Sequence, residues 1–302
     1  AQIGQDERQN LIDTPAPSNR PVIAVMPFAN LGDDPEFAFM VDGLAEDLVF
    51  ALSAFRSFRV LARTATFRMR ETEMDYSDLR RIFGATYAIN GRVRRSGPRL
   101  RVSVGLIDCA NGEQLWSNRY DKTIDDLFDV EEDISYRVAA AIEPALESFE
   151  MRRALGRPPE TLEAYELLQR GYWHLYRATP EDETEAWRCI DAAIAKDPTY
   201  AAALTGLAYL KFRDAHSHLM DNFDGRMEDC RVTAVQALDL DPRNPRALRF
   251  LAGANSSLGN HDVALEAASR AVEICPSFAQ GYSGLAFVHD FIGNFSDAKP
   301  AA

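Results

Sequence analysis

The stretch PRNPRALRFLAGANSSLGNHDVALEAASRAVEICP, from Pro242 to Pro276, decides the fold of the second half of this chain. Its two bounding prolines are 34 residues apart. Apolar and small residues recur at helical spacing before Gly259 and again after it, at Leu248, Leu251, Ala252, Ala264, Ala268 and Ala271. Small side chains let two antiparallel helices pack closely, and a proline ends the unit where the next must begin. The interval therefore predicts one helical hairpin of a repeat array.

Prolines also end helical segments on both sides of this unit. Prolines follow Ala-rich segments in KDPTY, LDPRN and ICPSF, and the interval from Pro198 to Pro242 is 44 residues, which we attribute to an insertion, AHSHLMDNFDG. We predict about four hairpins over residues 159–302, the last incomplete. The residues expected at helix contacts are Gly171, Ala186, Ala193, Leu207, Ala208, Leu251, Ala252, Ala264, Ala271, Leu285 and Ala286.

Residues 21–158 alternate between strand and helix patterns instead. VIAVMPF is a continuous apolar run, typical of a strand covered on both faces, and the segment from Asp42 to Phe55 has helical spacing. FRVLAR predicts a second short strand. YSDLRRIF predicts a short helix with Leu79, Ile82 and Phe83 on one face, ended by Gly84.

The pattern then changes to a period of two. TYAINGRVRR, RLRVSVGLID and EQLWSNRYD, separated by turns, predict a three-stranded antiparallel meander. A helix is predicted from Ile124 to Leu155, and Pro144 should kink or divide it. We therefore expect an α/β mixed-sheet domain followed by an all-α helical repeat array, with residues 1–20 as a Pro- and Ser-containing linker.

Two segments carry a resemblance to known families. The 34-residue units resemble tetratricopeptide repeats. VIAVMPFANLGDDPEFAFMVDGLAEDLVFALSAF and YAINGRVRRSGPRLRVSVGLIDCANGEQLWSNRYD resemble the TolB amino-terminal-like domain that precedes such repeats in bacterial regulators. In those regulators the pair commonly lies downstream of a class III adenylate or guanylate cyclase domain, or of a winged-helix DNA-binding domain. Because neither output domain is recognised in these residues, no catalytic or DNA-reading residue is carried over.

The resemblance implies a non-catalytic regulatory and protein-interaction region of a bacterial signalling protein, with a cyclase-type output domain attached. The expected partner is a protein or peptide in the repeat groove, and a homodimer is an alternative. Two other classes stay open. One is the small-ligand sensor region of a winged-helix regulator, with its pocket at the domain junction, and the other is an unrecognised enzyme in the α/β domain.

The charge and the hydropathy of the chain limit which partners and which cellular compartment we expect. The chain has 302 residues, 46% of them apolar, and a net charge of −13, which argues against a nucleic-acid partner because a phosphate backbone repels such a surface. No apolar window reaches the length of a membrane span. We expect a cytoplasmic protein, or a periplasmic one if a membrane span lies upstream.

No cofactor or metal site is predicted. The loop FANLGDDPEFAFMVDG lacks both glycine-rich phosphate-binding motifs and carries Asp33, Asp34, Glu36 and Asp42, whose carboxylates would repel a phosphate. The spacing of a calcium loop is missing too. His216 and His218 have no assured third ligand, so a polar loop is expected there.

The cysteines and tryptophans are assigned to the core. The four cysteines form no C-x-x-C pair, so we predict that they are small buried residues: Cys109, Cys189, Cys230 and Cys275. This arrangement favours a reducing compartment. Trp116, Trp173 and Trp187 lie within apolar periods, which indicates core or groove positions rather than a cofactor site.

An excess of arginine between Arg56 and Arg101 is the strongest charge anomaly. This segment contains twelve Arg and four acidic residues, although the whole chain is acidic. Four of these arginines alternate with small or apolar residues on two adjacent predicted strands and so share one sheet face: Arg92, Arg94, Arg99 and Arg101. The face is either solvated or a docking surface for an acidic partner, such as the repeat array or a second copy.

Overall fold

A computed structural model describes residues 20–32, 35–67, 75–123 and 127–293. The predicted linker lies outside the described residues except for Arg20. Asp33 and Asp34 of the acidic loop also lie outside them, as does the side chain of Glu36.

A mixed six-stranded sheet forms the first part of the chain. Its strands are β1 Val22–Val25, β2 Ala29–Asn30, β3 Arg59–Val60, β4 Tyr87–Ser96, β5 Arg99–Asp108 and β6 Gln114–Thr123. The order is β3-β1-β4-β5-β6, and β2 pairs with β4 off this path. β1 is parallel to β3 and β4, whereas β4, β5 and β6 are antiparallel. Both the buried first strand and the predicted meander are confirmed.

Helices cover the two faces of the sheet unequally. α1 (Pro35–Ser53) and α4 (Leu127–Leu155) pack on the inner face, where Ile23, Ile89 and Val102 join one apolar core with side chains of both helices. Two shorter helices are α2 (Arg63–Phe67) and α3 (Tyr76–Phe83). Leu79 of α3 covers one end of the outer face, against Ala88 and other small residues. The rest of that face is left open by the described residues.

Seven α-helices of the described residues make up the second part. They are α5 Ala164–Arg177, α6 Pro180–Lys196, α7 Ala201–Ser217, α8 Phe223–Leu240, α9 Pro245–Ser257, α10 His261–Ile274 and α11 Ala279–Phe291. They form three helical hairpins and the first helix of a fourth, whose remaining residues lie outside the described range. The first helices also contact one another in sequence, α5 with α7, α7 with α9 and α9 with α11. The predicted fold class is confirmed.

Several local predictions were wrong. α1 begins at Pro35 rather than at Asp42, and the short elements β2 and α2 were not predicted. Ile82 is exposed, because the side chains of α3 that pack against the sheet are those of Leu79, Tyr76 and Phe83. α4 continues through Pro144 without dividing. That proline is exposed, so water can hydrate the carbonyl that its ring frees, while Ile142 and Leu146 on either side stay buried.

The extra residues of the second repeat do not form a separate loop. They lengthen both helices of the hairpin, since α7 and α8 contain 17 and 18 residues whereas α9 and α10 contain 13 and 14. His216 lies in the last turn of α7, and its ring contacts that of Phe212 at a centroid distance of 4.4 Å. The polar loop predicted for AHSHLMDNFDG is therefore shorter than the insertion itself.

Candidate functional site

The first helices of the four hairpins carry a continuous run of aromatic rings, which we call the aromatic ladder. Its members are Tyr172 and Tyr176 on α5, Tyr209 and Phe212 on α7, Phe250 on α9, and Phe287 and Phe291 on α11. These helices pack side by side and so form the inner layer of the array. Because each ring comes from a different turn or repeat, the ladder exists only in the folded array.

Neighbouring rings of the ladder lie within stacking distance. The centroid of Tyr209 is 6.3 Å from that of Tyr176 and 5.0 Å from that of Phe250. Phe212 lies 6.0 Å from Phe250 and 6.4 Å from Phe287, and Phe287 lies 4.7 Å from Phe291. Ring pairs at such separations attract one another beyond their burial. Two rings of the ladder remain partly in solvent, with Tyr176 44% and Phe291 51% exposed.

A cation without a counter-ion lies among these rings. The guanidinium of Arg249 is 5.0 Å from the centroid of Phe250, and the stem of the side chain packs on Gly284, where a Cβ would meet Arg249 Cγ at 3.0 Å. Burial lowers the pKa of Arg249, and nearby Arg246 lowers it further. No carboxylate of the described residues pairs with it, and its Nε has no hydrogen-bond partner there. The ladder is thus aromatic with an uncompensated positive charge.

The sheet domain meets the array at a buried ion cluster. Arg246 of α9 donates from Nη2 to Glu143 Oε1 at 2.5 Å and from Nη1 to Glu147 Oε1 at 2.6 Å, and both carboxylates belong to α4. Burial lowers the pKa of Arg246, but Glu143 and Glu147 raise it more, so that the pKa lies well above the usual value. Burial raises the pKa of Glu143, although Arg246 acts in the opposite direction.

Two further contacts fix the junction. Arg56 makes a two-point ion pair with Asp241, from Nε to Oδ2 at 2.8 Å and from Nη2 to Oδ1 at 3.1 Å. Phe278, at the start of α11, packs into the core of the sheet domain. Arg56 thus joins the arginine-rich segment to the array by an ion pair.

The four arginines predicted to share a face do lie together on the outer side of the sheet. Arg94 is opposite Arg101 across β4 and β5, and the exposed side chains of Arg92 and Arg99 flank this pair. Arg101 is already engaged, because it donates from Nε to Asp121 Oδ1 at 2.6 Å and lowers the pKa of that carboxyl. The array packs on the side of α4, so this face points away from it.

The residues predicted to pack the repeats occupy two kinds of position. Those with essentially no exposed surface are Ala186, Ala193, Ala208, Ala252, Ala264 and Ala271, together with buried Gly171. The others, Leu207, Leu251, Leu285 and Ala286, are half-buried. A Cβ added at Gly171 would lie 2.7 Å from Ile190 Cγ1 of α6, so this close approach of two helices requires glycine.

The histidines, tryptophans and cysteines occupy structural positions. Nδ1 of His216 and of His218 lies within hydrogen-bond distance of a backbone carbonyl oxygen four residues earlier. The described part of the chain contains no group of three metal-ligating side chains and no helix long and apolar enough to span a membrane. The half-buried tryptophans pack against the apolar cores: Trp116, Trp173 and Trp187. All four cysteines are buried and unpaired, and burial raises the pKa of the Cys230 thiol to about 12.

Comparison with known proteins finds one family model and one curated relative, and their names differ. Residues 18–135 match the family model described as "HilA/YgeH-like transcriptional regulator, second domain". A curated protein of Rhizobium meliloti (strain 1021), named "Putative adenylate cyclase 3", is 31% identical over 264 residues. That alignment covers 85% of this chain but 44% of the relative, so the chain spans less than half the length of the protein it matches.

Solved structures similar to parts of the chain include members of both resembled families. TolB from Acinetobacter baumannii is 20% identical with a TM-score of 0.32, over 43% of this chain and 29% of that one. A thermophilic tetratricopeptide-repeat protein of Thermus thermophilus is 17% identical with a TM-score of 0.43, over 57% of this chain and 80% of that one.

Proposed function

We propose that this chain is the non-catalytic regulatory and protein-interaction region of a bacterial signalling protein. In this proposal the aromatic ladder receives an extended segment of a partner protein. The observation that carries it is the uncompensated guanidinium of Arg249 within a partly exposed aromatic surface that runs through four helices.

The composition of the ladder supports binding rather than packing alone. A contiguous exposed apolar patch commonly marks an interaction site, and aromatic residues and Arg dominate the energetics of such sites. Tyr176 and Phe291 keep about half of their surface in solvent, although each ring also contacts a neighbouring ring of the ladder. Repeat arrays use the inner layer of helices for recognition because those side chains can vary without disturbing the small residues between the hairpins.

The charge of the ladder selects the chemistry of the partner. A half-buried cation with no counter-ion is unfavourable, and a carboxylate supplied by the partner would stabilise it. Arg213 adds a second guanidinium on α7, which donates to the carbonyl oxygen of Leu175. We therefore propose a partner segment that presents aromatic or aliphatic side chains to the rings and an Asp or Glu carboxylate to Arg249.

The family model and the curated relative support different finer assignments. We propose that residues 21–158 form a TolB amino-terminal-like domain, that residues 159–302 form tetratricopeptide repeats, and that a cyclase-type domain is the output. The cyclase-named relative supports this choice because it aligns with most of both parts. The alternative is a region of a winged-helix transcriptional regulator, which the family model over residues 18–135 favours.

Peptide selection tests the groove directly. A random peptide library is selected on the immobilised chain, and the affinity of individual peptides is then measured by fluorescence polarisation. We expect selected peptides to combine an acidic residue with aromatic or aliphatic residues. Arg249→Met and Tyr176→Ser should each weaken their binding roughly tenfold or more, because each removes one part of the recognition surface.

Arg188→Met is the matched control, since Arg188 is exposed on α6 and pairs with Glu185 away from the ladder. This variant should bind the selected peptides like the unmodified chain. Selection of basic peptides, or equal loss of binding in the control, would refute the assignment of the groove.

A further inference from the structure

The junction between the sheet domain and the array encloses a pocket. Aromatic rings from both parts line it: Phe55, Tyr172, Tyr200 and Phe278. Phe55 follows α1, whereas the other three belong to the array or to its connections. The pocket adjoins the aromatic ladder only through Tyr172, and its polar groups are different from those of the groove.

The polar wall of this pocket has a surplus of negative charge. Glu143 and Glu147 both line it, and Arg246 alone compensates the two carboxylates. Arg56 also lines the pocket, but Asp241 pairs with that guanidinium at two points. Because each glutamate uses one oxygen for Arg246, further carboxylate oxygens remain as acceptors.

An unpartnered amide points to the same conclusion independently. Gln169 lines the pocket and is only 3% exposed, and its Oε1 accepts no hydrogen bond from the described residues. The buried hydroxyl oxygen of Ser57 in the wall is also without a partner there. Buried polar groups in folded proteins are normally satisfied, so these atoms indicate a bound group that donates hydrogen bonds.

We propose that the junction pocket binds a small organic ammonium ion. Its N–H groups donate to Gln169 Oε1 and to a carboxylate oxygen of Glu143 or Glu147, and its positive charge balances the excess carboxylate. The aromatic walls suit such an ion because ring faces attract cations and the alkyl part is removed from water. Burial raises the pKa of Glu143, Arg246 lowers it and the nearby Glu147 raises it, so a second cation beside these carboxylates would favour the ionised form.

The site contacts both parts of the chain, so its ligand would bias how firmly the sheet domain and the array are held together. Glu143 and Glu147 lie on α4 of the sheet domain, while Gln169 and Arg246 lie on α5 and α9 of the array. This inference concerns a small molecule and does not depend on peptide binding in the groove. Either proposal can fail without the other.

Calorimetric titration of the whole chain with three probes of similar size tests the charge preference. The probes are n-butylammonium chloride, sodium butyrate and butan-1-ol at matched ionic strength. We expect heat of binding for butylammonium alone, and roughly tenfold or greater weakening in Glu143→Gln and in Gln169→Met. Glu185→Gln, an exposed carboxylate on α6 paired with Arg188, is the control and should titrate like the unmodified chain.

Circular dichroism melting of each variant separates loss of binding from loss of folding. If Glu143→Gln unfolds, Gln169→Met decides the outcome, since it removes an acceptor and leaves the ion cluster intact. Equal responses to butyrate and butylammonium would overturn the proposal, as would no response to butylammonium or unchanged binding in the folded variants.

Discussion

The burial of the Glu131 carboxylate makes the packing of α4 against α1 less favourable. Its carboxylate lies against Gly43, where an added Cβ would be 3.1 Å from Glu131 Oε2. Only 6% of the residue is exposed. Burial raises the pKa of Glu131 to about 7, and the neighbouring Asp47 contributes to the rise. A side chain at position 43 would crowd this carboxylate, which would have to shift by a few tenths of an ångström.

Glu131 makes the free energy of unfolding depend on pH. Since its pKa is higher in the folded chain than the ordinary 4.5, the folded state binds more protons between pH 4.5 and about 7, and stability falls as pH rises through that range. We expect Glu131→Gln to raise the free energy of unfolding at pH 8 by about 1–2 kcal/mol, with a smaller gain at pH 4.5.

Urea unfolding at both pH values measures this difference. Glu132→Gln is the control, because Glu132 is an exposed neighbour on the same helix. If Glu131→Gln and the control have the same pH profile, Glu131 is hydrated in solution and the assigned contact with Gly43 is wrong.

At the scale of elements, small residues set the spacing between the helices of the array. Ala271 of α10 has no exposed surface and belongs to one apolar cluster with Leu248 of α9 and Val288 of α11. The cluster that contains this methyl group therefore includes side chains of three helices. The repeat period predicted this position because alanine is common where two helices approach closely.

Replacing Ala271 with Leu should overpack this three-helix contact. The added atoms force neighbouring side chains out of their preferred conformations, so the free energy of unfolding should fall by about 1–3 kcal/mol. Val263→Leu is the matched control, because Val263 is half exposed on the same helix and the new side chain reaches solvent. Equal melting temperatures of the two variants would place Ala271 on the surface and contradict the helix register.

At the scale of the whole molecule, the arginine face is separated from the helical array. The arginine face lies on the outer side of the sheet, and among the described residues no hydrogen bond or ion pair joins Arg92, Arg94, Arg99 or Arg101 to the array. Docking of this face on the array of the same chain would need a rearrangement. We propose that an acidic surface of a second copy is its partner.

Arg94→Glu combined with Arg101→Glu tests this association. Each exposed ion pair contributes only about 0–1 kcal/mol, so the sheet should remain folded, while several lost pairs together should weaken self-association at low ionic strength. Sedimentation at two salt concentrations measures the mass of both proteins. Arg152→Glu combined with Arg188→Glu makes the same change of charge on exposed residues elsewhere and should leave the mass unchanged. Identical masses of all three proteins at both salts would leave the arginines as a solvated face.

The sequence by itself determined the parts of this molecule that depend on local pattern. Alternation predicted the meander and placed Arg94 and Arg101 on one face, and the recurrence of small residues predicted the helical hairpins. A side-chain period reports which face of an element is buried, so such features follow without knowledge of distant contacts. The two-residue strand β2 and the continuity of α4 through Pro144 escaped this reasoning, because neighbouring elements stabilise them.

Only the tertiary structure decided where side chains from distant segments converge. Arg246 lies about a hundred residues from Glu143, and Tyr209, Phe250 and Phe287 belong to three different repeats. In the sequence, the pattern around each of these residues is that of an ordinary core or surface position of a helix. The cost of burying a charge and the approach of two rings depend on through-space distance, which the packing of α4, α7, α9 and α11 fixes and a local period does not encode.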